Sequence, residues 1–197
     1  MKTNIIFRLV ITALLIQTTA MASGKTEEQK YTVVSSNKEF EIRFYPSATM
    51  ATIYSTASSY KEVSGPGFRA LAGYIFGGNE SEKQISMTAP VHMNITAERS
   101  AMSFVMPSAY NVDNLPKPDN SRVIIEKTQD EYVAVIKFSG YASDEAIKKQ
   151  SAKLAKMLDE QGIEFYGTFR YLGYNPPYQF LNRRNEVVVS VKWNGKG

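Results

Sequence analysis

The chain has 197 residues, with 23 Lys and Arg, 19 Asp and Glu, one His, one Trp and no Cys. The lack of Cys excludes disulfide scaffolds, thiolate metal sites, thiol nucleophiles and a lipoprotein anchor. One His, His92, excludes multi-histidine metal centres and leaves a single imidazole for acid–base work.

A composition 43% hydrophobic and 21% charged describes a globular chain, long enough for one domain with its own core. Residues 1–22 read as an export signal. Lys2 and Arg8 form a basic start, Leu9 to Ile16 an apolar run, and Ala20-Met21-Ala22 a cleavage site. The apolar run is shorter than the roughly 20 residues that span a bilayer. The expectation is a mature chain from about Ser23, periplasmic or secreted, with no stable membrane insertion. Residues 23–30 would be a tail, 31–193 one domain, and 194–197 a C-terminal tail. Loss of Lys2 and Arg8 lowers the net charge from +4 to +2. No basic run follows, so no nucleic-acid partner is expected.

The elements follow in chain order. Phe40, Ile42 and Phe44 alternate with Glu41 and Arg43, as in a strand with one apolar face. Phe68, Leu71, Ala72 and Ile75 recur at helical spacing, predicting a helix over 67–76 with Pro66 near its start and Gly77-Gly78 at its end. Met87, Ala89, Val91, Met93 and Ile95 form the apolar face of the next strand. Thr88, His92 and Asn94 take the other face, so His92 reads as an exposed strand histidine. Met102, Phe104 and Met106 repeat the alternation. Asn111 to Asn120, with Pro116 and Pro118, reads as a surface link. Tyr132, Ala134, Ile136 and Phe138 predict a further strand. A helix over 144–161 is marked by the N-cap Ser143, acidic Asp144 and Glu145, the stripe Ile147, Leu154, Met157 and Leu158, and the stop Gly162. Val187, Val189, Val191 and Trp193 close the pattern.

Two halves, about 31–107 and 123–193, thus carry the same ββαββ-type pattern. Neither could bury its sheet face and its helix stripe well alone. The pair predicts one α+β domain with a joined or barrel-like antiparallel sheet, two flanking helices and a cleft at the seam.

Four stretches in order are similar to the SOUL family of haem-binding proteins. They are Phe40-Glu41-Ile42-Arg43-Phe44-Tyr45-Pro46, Tyr74-Ile75-Phe76-Gly77-Gly78-Asn79 with Ile85-Ser86-Met87-Thr88-Ala89-Pro90-Val91, Tyr174-Asn175-Pro176-Pro177-Tyr178, and Arg183-Arg184-Asn185-Glu186-Val187. The chain resembles an exported, bacterial member. The resemblance covers about residues 31–193. It implies duplicated repeats in a distorted antiparallel β-barrel flanked by two helices. It also implies reversible binding of haem, or metal-free porphyrin, in a shallow apolar groove by a non-enzymatic carrier or buffer. Some members carry a His, considered a haem ligand, in the segment matching Arg43-Phe44-Tyr45; here Phe44 stands at that place and cannot ligate iron.

A porphyrin needs a broad apolar surface and one or two cations for its propionates. The resemblance places that surface on the first helix and a late turn. The candidates are Phe68, Leu71, Ala72 and Ile75 for the plate, Arg69, Arg183 and Arg184 for the propionates, and Tyr174 and Tyr178 for stacking. His92 is a weak candidate axial ligand, and Met87, Met93 and Met106 read as core. No nucleophile elbow or phosphate loop is present, so no enzyme is expected. The alternatives are a binding module for another apolar or cationic small molecule, as in effector-binding domains, and a tetrapyrrole-modifying enzyme.

Overall fold

The computed structural model describes residues 26–176, 178–179 and 181–195. The export-signal reading lies outside the described residues. Two helices, α1 (Tyr60–Ile75) and α2 (Asp144–Glu160), accompany eleven strands. In chain order the strands are β1 (Glu27–Glu28), β2 (Thr32–Ser36), β3 (Glu41–Tyr45), β4 (Thr49–Ser55), β5 (Thr88–Ala89), β6 (Val91–Asn94), β7 (Ser100–Val105), β8 (Val123–Lys127), β9 (Glu131–Phe138), β10 (Phe165–Gly173) and β11 (Asn185–Val191).

Nine strands form one sheet in the order β2-β3-β9-β11-β10-β6-β7-β4-β8, antiparallel throughout. The ladder runs from β2 to β8, and among the described residues no pairing joins those two ends. Without β2, the order is symmetric about the β10–β6 seam. One repeat is β3, β4, α1, β6 and β7; the other is β8, β9, α2, β10 and β11. Each repeat lends its first strand to the other: β3 pairs with β9, and β8 pairs with β4. That exchange explains why neither half completes its own sheet.

Both helices lie on one face. α1 packs Val63, Leu71, Tyr74 and Ile75 against Ala51, Ile53, Met102 and Phe104. α2 packs Leu154, Met157 and Leu158 against Ile42, Ala134, Val187 and Val189. The opposite face carries Tyr45, Val133, Val135, Leu172 and Val188. Because both faces are covered, the central strand β11 is buried at six of its seven positions.

The first helix begins seven residues earlier than the predicted Gly67. The missed signal is Ser59-Tyr60-Lys61-Glu62. The Ser59 hydroxyl oxygen accepts from the Glu62 amide at 3.3 Å, and its O–H donates to the Glu62 carboxylate at 2.9 Å. Pro66 sits inside the helix rather than at its start. The strand expected from Met87 to Ile95 is two short strands, divided at the cis Ala89–Pro90 bond. Asn79 is buried. Its amide donates to the Tyr74 and Lys83 carbonyls at 3.0 and 2.8 Å, tying down the turn after α1.

Two glycines near that turn have opposite roles. A Cβ on Gly78 would lie 2.7 Å from the Gly73 carbonyl oxygen, which already accepts the Gly78 amide at 2.8 Å. A Cβ on Gly73 meets nothing within 4 Å. Gly73→Ala is therefore expected to stabilise the protein by about 0.5–1 kcal/mol through helix propensity. Gly78→Ala is expected to destabilise it by about 2 kcal/mol or more through a backbone clash. Urea unfolding of both variants checks the opposite signs.

Candidate functional site

The predicted stripe on α1 divides in two. Leu71 (0% exposed) and Ile75 point into the core against the sheet. They form the floor beneath the helix and touch nothing outside it. Phe68 is 39% exposed, its ring edge-on to Phe104 at 5.3 Å. Ala72 is half-buried, and Arg69 and Gly73 are exposed. Phe76, at the C-cap, is 58% exposed. Gly65, Arg69, Ala72, Gly73 and Phe76 share the outward side of α1 by their 3.6-residue spacing. The result is a side-chain-poor strip bordered by the rings of Phe68 and Phe76. Sequence reasoning missed Phe76 because it followed the buried stripe; the same spacing read from Arg69 outward would have found it. Arg69 has no hydrogen-bond or ion-pair partner among the described residues.

The late turn approaches the start of α1. The Tyr60 amide donates to Asp144 Oδ1 at 2.6 Å, joining the starts of the two helices. Arg183, in the turn, lies over the Tyr141 ring at 5.0 Å. Its Nη1 donates to the Pro176 and Gln179 carbonyls at 2.9 and 2.8 Å, so it staples the turn. Its buried Nε has no partner among the described residues. Tyr178 and Leu181 are 74% and 79% exposed on the same turn. Phe68 and Arg69 lie about two turns along α1 from Tyr60, roughly 12 Å at 1.5 Å per residue.

Arg184 and Tyr174 belong to a different place, the face opposite the helices. There Glu186, fully buried, accepts two bonds from Arg43, at 2.8 and 3.0 Å. It accepts a third from Arg184 Nε at 3.0 Å and a fourth from the Tyr174 hydroxyl at 2.8 Å. Arg43 stacks on Tyr31 at 4.1 Å, and Arg184 on Tyr174 at 3.6 Å. Arg184 also pairs with Glu28 at 2.9 Å. Neither arginine is available to a propionate. Burial, then the Glu186 carboxylate, pushes the Tyr174 hydroxyl far above its usual range, so it stays a protonated donor and offers no tyrosinate to iron.

His92 is not the exposed strand histidine expected from its alternation. It points away from Met93 and the helices, but the N-terminal segment partly covers that face and leaves His92 half-buried. Its Nε2 lies 2.8 Å from Gln29 Oε1, and it lines a cavity of about 100 Å³ with Tyr45, Ser103, Glu131 and Arg170. Burial first, and the Arg170 guanidinium second, push its pKa down to about 3. The sheet separates it from α1, so it cannot ligate a group bound on the outer side of that helix. Phe44, at the place of the family's considered ligand, packs on Tyr132 at 5.1 Å. Met93 and Met106 are in the core, with Met87 packed against it. Among the described residues no cluster of three or more His, Cys, Asp or Glu could hold a metal ion, and no helix is long and apolar enough to cross a membrane.

This is a duplicated α+β domain with one open apolar helix face and one closed polar sheet face. Residues 26–190 match the model of the family described as SOUL heme-binding protein, and the chain belongs to that family. Heme-binding protein 2 of Mus musculus is 34% identical over 161 residues, covering 78% of this chain and 78% of the mouse protein. Heme-binding protein 1 of Xenopus laevis is 26% identical over 175 residues, covering 83% of this chain and 92% of that protein. Solved structures share the fold at low identity. The EcmrR C-terminal domain matches with a TM-score of 0.59 at 8% identity, over 82% of this chain and 98% of that one. An uncharacterized conserved protein from Listeria innocua matches with a TM-score of 0.60 at 10% identity, over 80% of this chain and 94% of that one.

The buried cluster gives a stability prediction. Arg43→Met leaves Glu186 with half its compensation and is expected to cost about 3–5 kcal/mol. Glu186→Gln alone is expected to cost less, because Arg43 keeps its bond to Glu41 at 2.8 Å. The double variant is expected to recover at least about 1 kcal/mol relative to the sum of the singles. Denaturant unfolding of the four-member cycle checks this.

Proposed function

We propose that the protein binds haem or a related tetrapyrrole on the outward side of α1, as an exported, non-enzymatic carrier or buffer. Family membership supports the ligand class. The observation that carries the location is the strip of Gly65, Ala72 and Gly73 between the exposed rings of Phe68 and Phe76, with Arg69, unpaired among the described residues, in the middle. A flat macrocycle can lie against the glycines and alanine beside Arg69, and its rim can meet two rings. Arg69 would take a propionate by a charge-assisted bond. Exposed Tyr178 at the late turn is a further stacking surface. The iron would supply no coordination to the chain here, since His92 and the core methionines lie elsewhere. Metal-free porphyrin is therefore expected to bind about as well as hemin.

The cationic-ligand alternative has less support. Glu186 is the buried carboxylate among tyrosines that would suit an organic cation, and the chain's own Arg43 and Arg184 already occupy it. The reading of residues 1–22 as a cleavable export signal supports a periplasmic or secreted location.

Difference-absorbance titration with hemin and with metal-free protoporphyrin tests the proposal. Both are expected to give a saturable one-to-one shift. Phe68→Ala and Arg69→Glu are each expected to weaken both ligands about tenfold, near 1.4 kcal/mol, and His92→Gln neither. Absence of saturation with either ligand, or a loss confined to hemin on changing His92, would overturn it.

A further inference from the structure

The outward side of α2 differs in chemistry from that of α1. Leu154, Met157 and Leu158 are buried against the sheet, with Ile147 packed beside them. At 3.6 residues per turn the opposite side falls to Lys149, Ala152, Lys153 and Lys156, with Lys148 at its margin. All five are exposed. No acidic residue stands between Glu145 and Asp159, so this stretch carries four lysines along about 12 Å of helix at 1.5 Å per residue. Among the described residues only Lys156 of these has an ion pair, with Glu160 at 3.7 Å, and both of those side chains are well exposed. Lys149 and Lys153, four residues apart, repel each other at a small cost to the helix. The row therefore serves neither the core nor the helix itself.

An apolar group stands at the N-terminal end of the same helix. Tyr141, two residues before the N-cap Ser143, is 58% exposed. The Arg183 guanidinium lies over its ring at 5.0 Å, which brings the late turn to this end. That turn holds out Tyr178 and Leu181, the most exposed large apolar side chains among the described residues. The Arg183 bonds to the Pro176 and Gln179 carbonyls staple the turn that presents them. Water solvates lysines well, but it gains nothing from a leucine and a tyrosine held out on a stapled turn. Cations beside aromatic and aliphatic tips are the composition of surfaces that rest at a lipid interface, where ammonium groups meet phosphates and apolar tips enter the headgroup layer.

We propose that the α2 face and the late turn dock the protein peripherally on an anionic phospholipid surface, with Lys148, Lys149, Lys153 and Lys156 against the phosphates and Tyr178 and Leu181 in the headgroup layer. The lysines alone would suit an acidic protein equally well. The isolated apolar tips favour a fluid interface, which needs no preformed pocket to receive them. The contact uses none of the α1 strip, so it holds or fails separately from tetrapyrrole binding.

Lysine acetylation footprinting of the full chain, without tetrapyrrole, tests the docking face. Unilamellar vesicles of equal parts phosphatidylglycerol and phosphatidylcholine are expected to slow acetylation of Lys148, Lys149, Lys153 and Lys156. Lys137 and Lys192, on other elements, are expected to keep their rates. Pure phosphatidylcholine vesicles are expected to protect none of them, and added salt to remove the protection. Vesicle sedimentation then gives partition coefficients. Each lysine near an anionic leaflet contributes about fivefold, so Lys148→Gln, Lys149→Gln and Lys153→Gln together are expected to lower partitioning about a hundredfold. The same three changed to Arg are expected to leave it within about twofold. Tyr178→Ser with Leu181→Ser is expected to lower it about tenfold. Residues 1–22 are common to all variants, so the differences read α2 and the turn alone. Unchanged acetylation of the α2 lysines on anionic vesicles would overturn the proposal, as would equal protection of Lys137 and Lys192. Partitioning of the Gln variant equal to the parent's would also overturn it. Soluble polyglutamate protecting the α2 lysines as fully as vesicles do, with the Ser variant unimpaired on vesicles, would assign the face to an acidic protein instead.

Discussion

A carboxylate with no solvent exposure cannot stay charged in a sheet unless the chain surrounds it with donors. Glu186 is that carboxylate, and the closed face is organised around it. Arg43 reaches it from β3 of one repeat, while Glu186, Arg184 and Tyr174 come from the other. The pair thus clamps the exchanged strand β3 to the repeat that borrows it, through β9 and onto β11. The N-terminal segment is fastened to the same cluster, since Glu28 and Tyr31 both engage Arg184. Packing energy holds the helix face; on the other, charge compensation adds to the smaller apolar cluster of Tyr45, Val133, Val135, Leu172 and Val188.

That division governs what each face can offer a ligand. On the closed face the cations and hydroxyls are already spent on internal partners, so a ligand there would have to break a buried ion pair. On the helix face the inward stripe of α1 is spent on the core, and the outward strip is left with small residues, two exposed rings and a guanidinium with no partner among the described residues. A flat apolar plate with anionic arms matches the second surface in shape and charge. With no imidazole on that side, the proposed site would read the porphyrin plane rather than its metal.

The alternation of Phe40 to Phe44, Tyr132 to Phe138 and Val187 to Val191 was enough to find the central strands and the duplication, because half of each strand faces a helix. The exchange of β3 and β8 between repeats was not legible, since strand pairing is a long-range choice that local alternation does not encode. For the same reason Arg43 and Glu186, 143 residues apart, carried no local sign of being partners. Arg184 and Tyr174 were read as site residues from their place in a turn; distant partners draw them to the other face. His92 was placed on the correct side of its strand, but alternation does not reveal that the N-terminal segment partly covers that side. The start of α1 was legible in Ser59 and Glu62, and Pro66 drew the reading away from it.

The central claim is that a tetrapyrrole meets the outward side of α1 and leaves the Glu186 face closed. Amide chemical-shift mapping during titration with diamagnetic zinc protoporphyrin tests this most directly. The account predicts saturable shifts at Gly65, Arg69, Ala72, Gly73 and Phe76, with Arg43, His92 and Glu186 unmoved. Shifts centred on His92 and Glu186, with α1 silent, would contradict it.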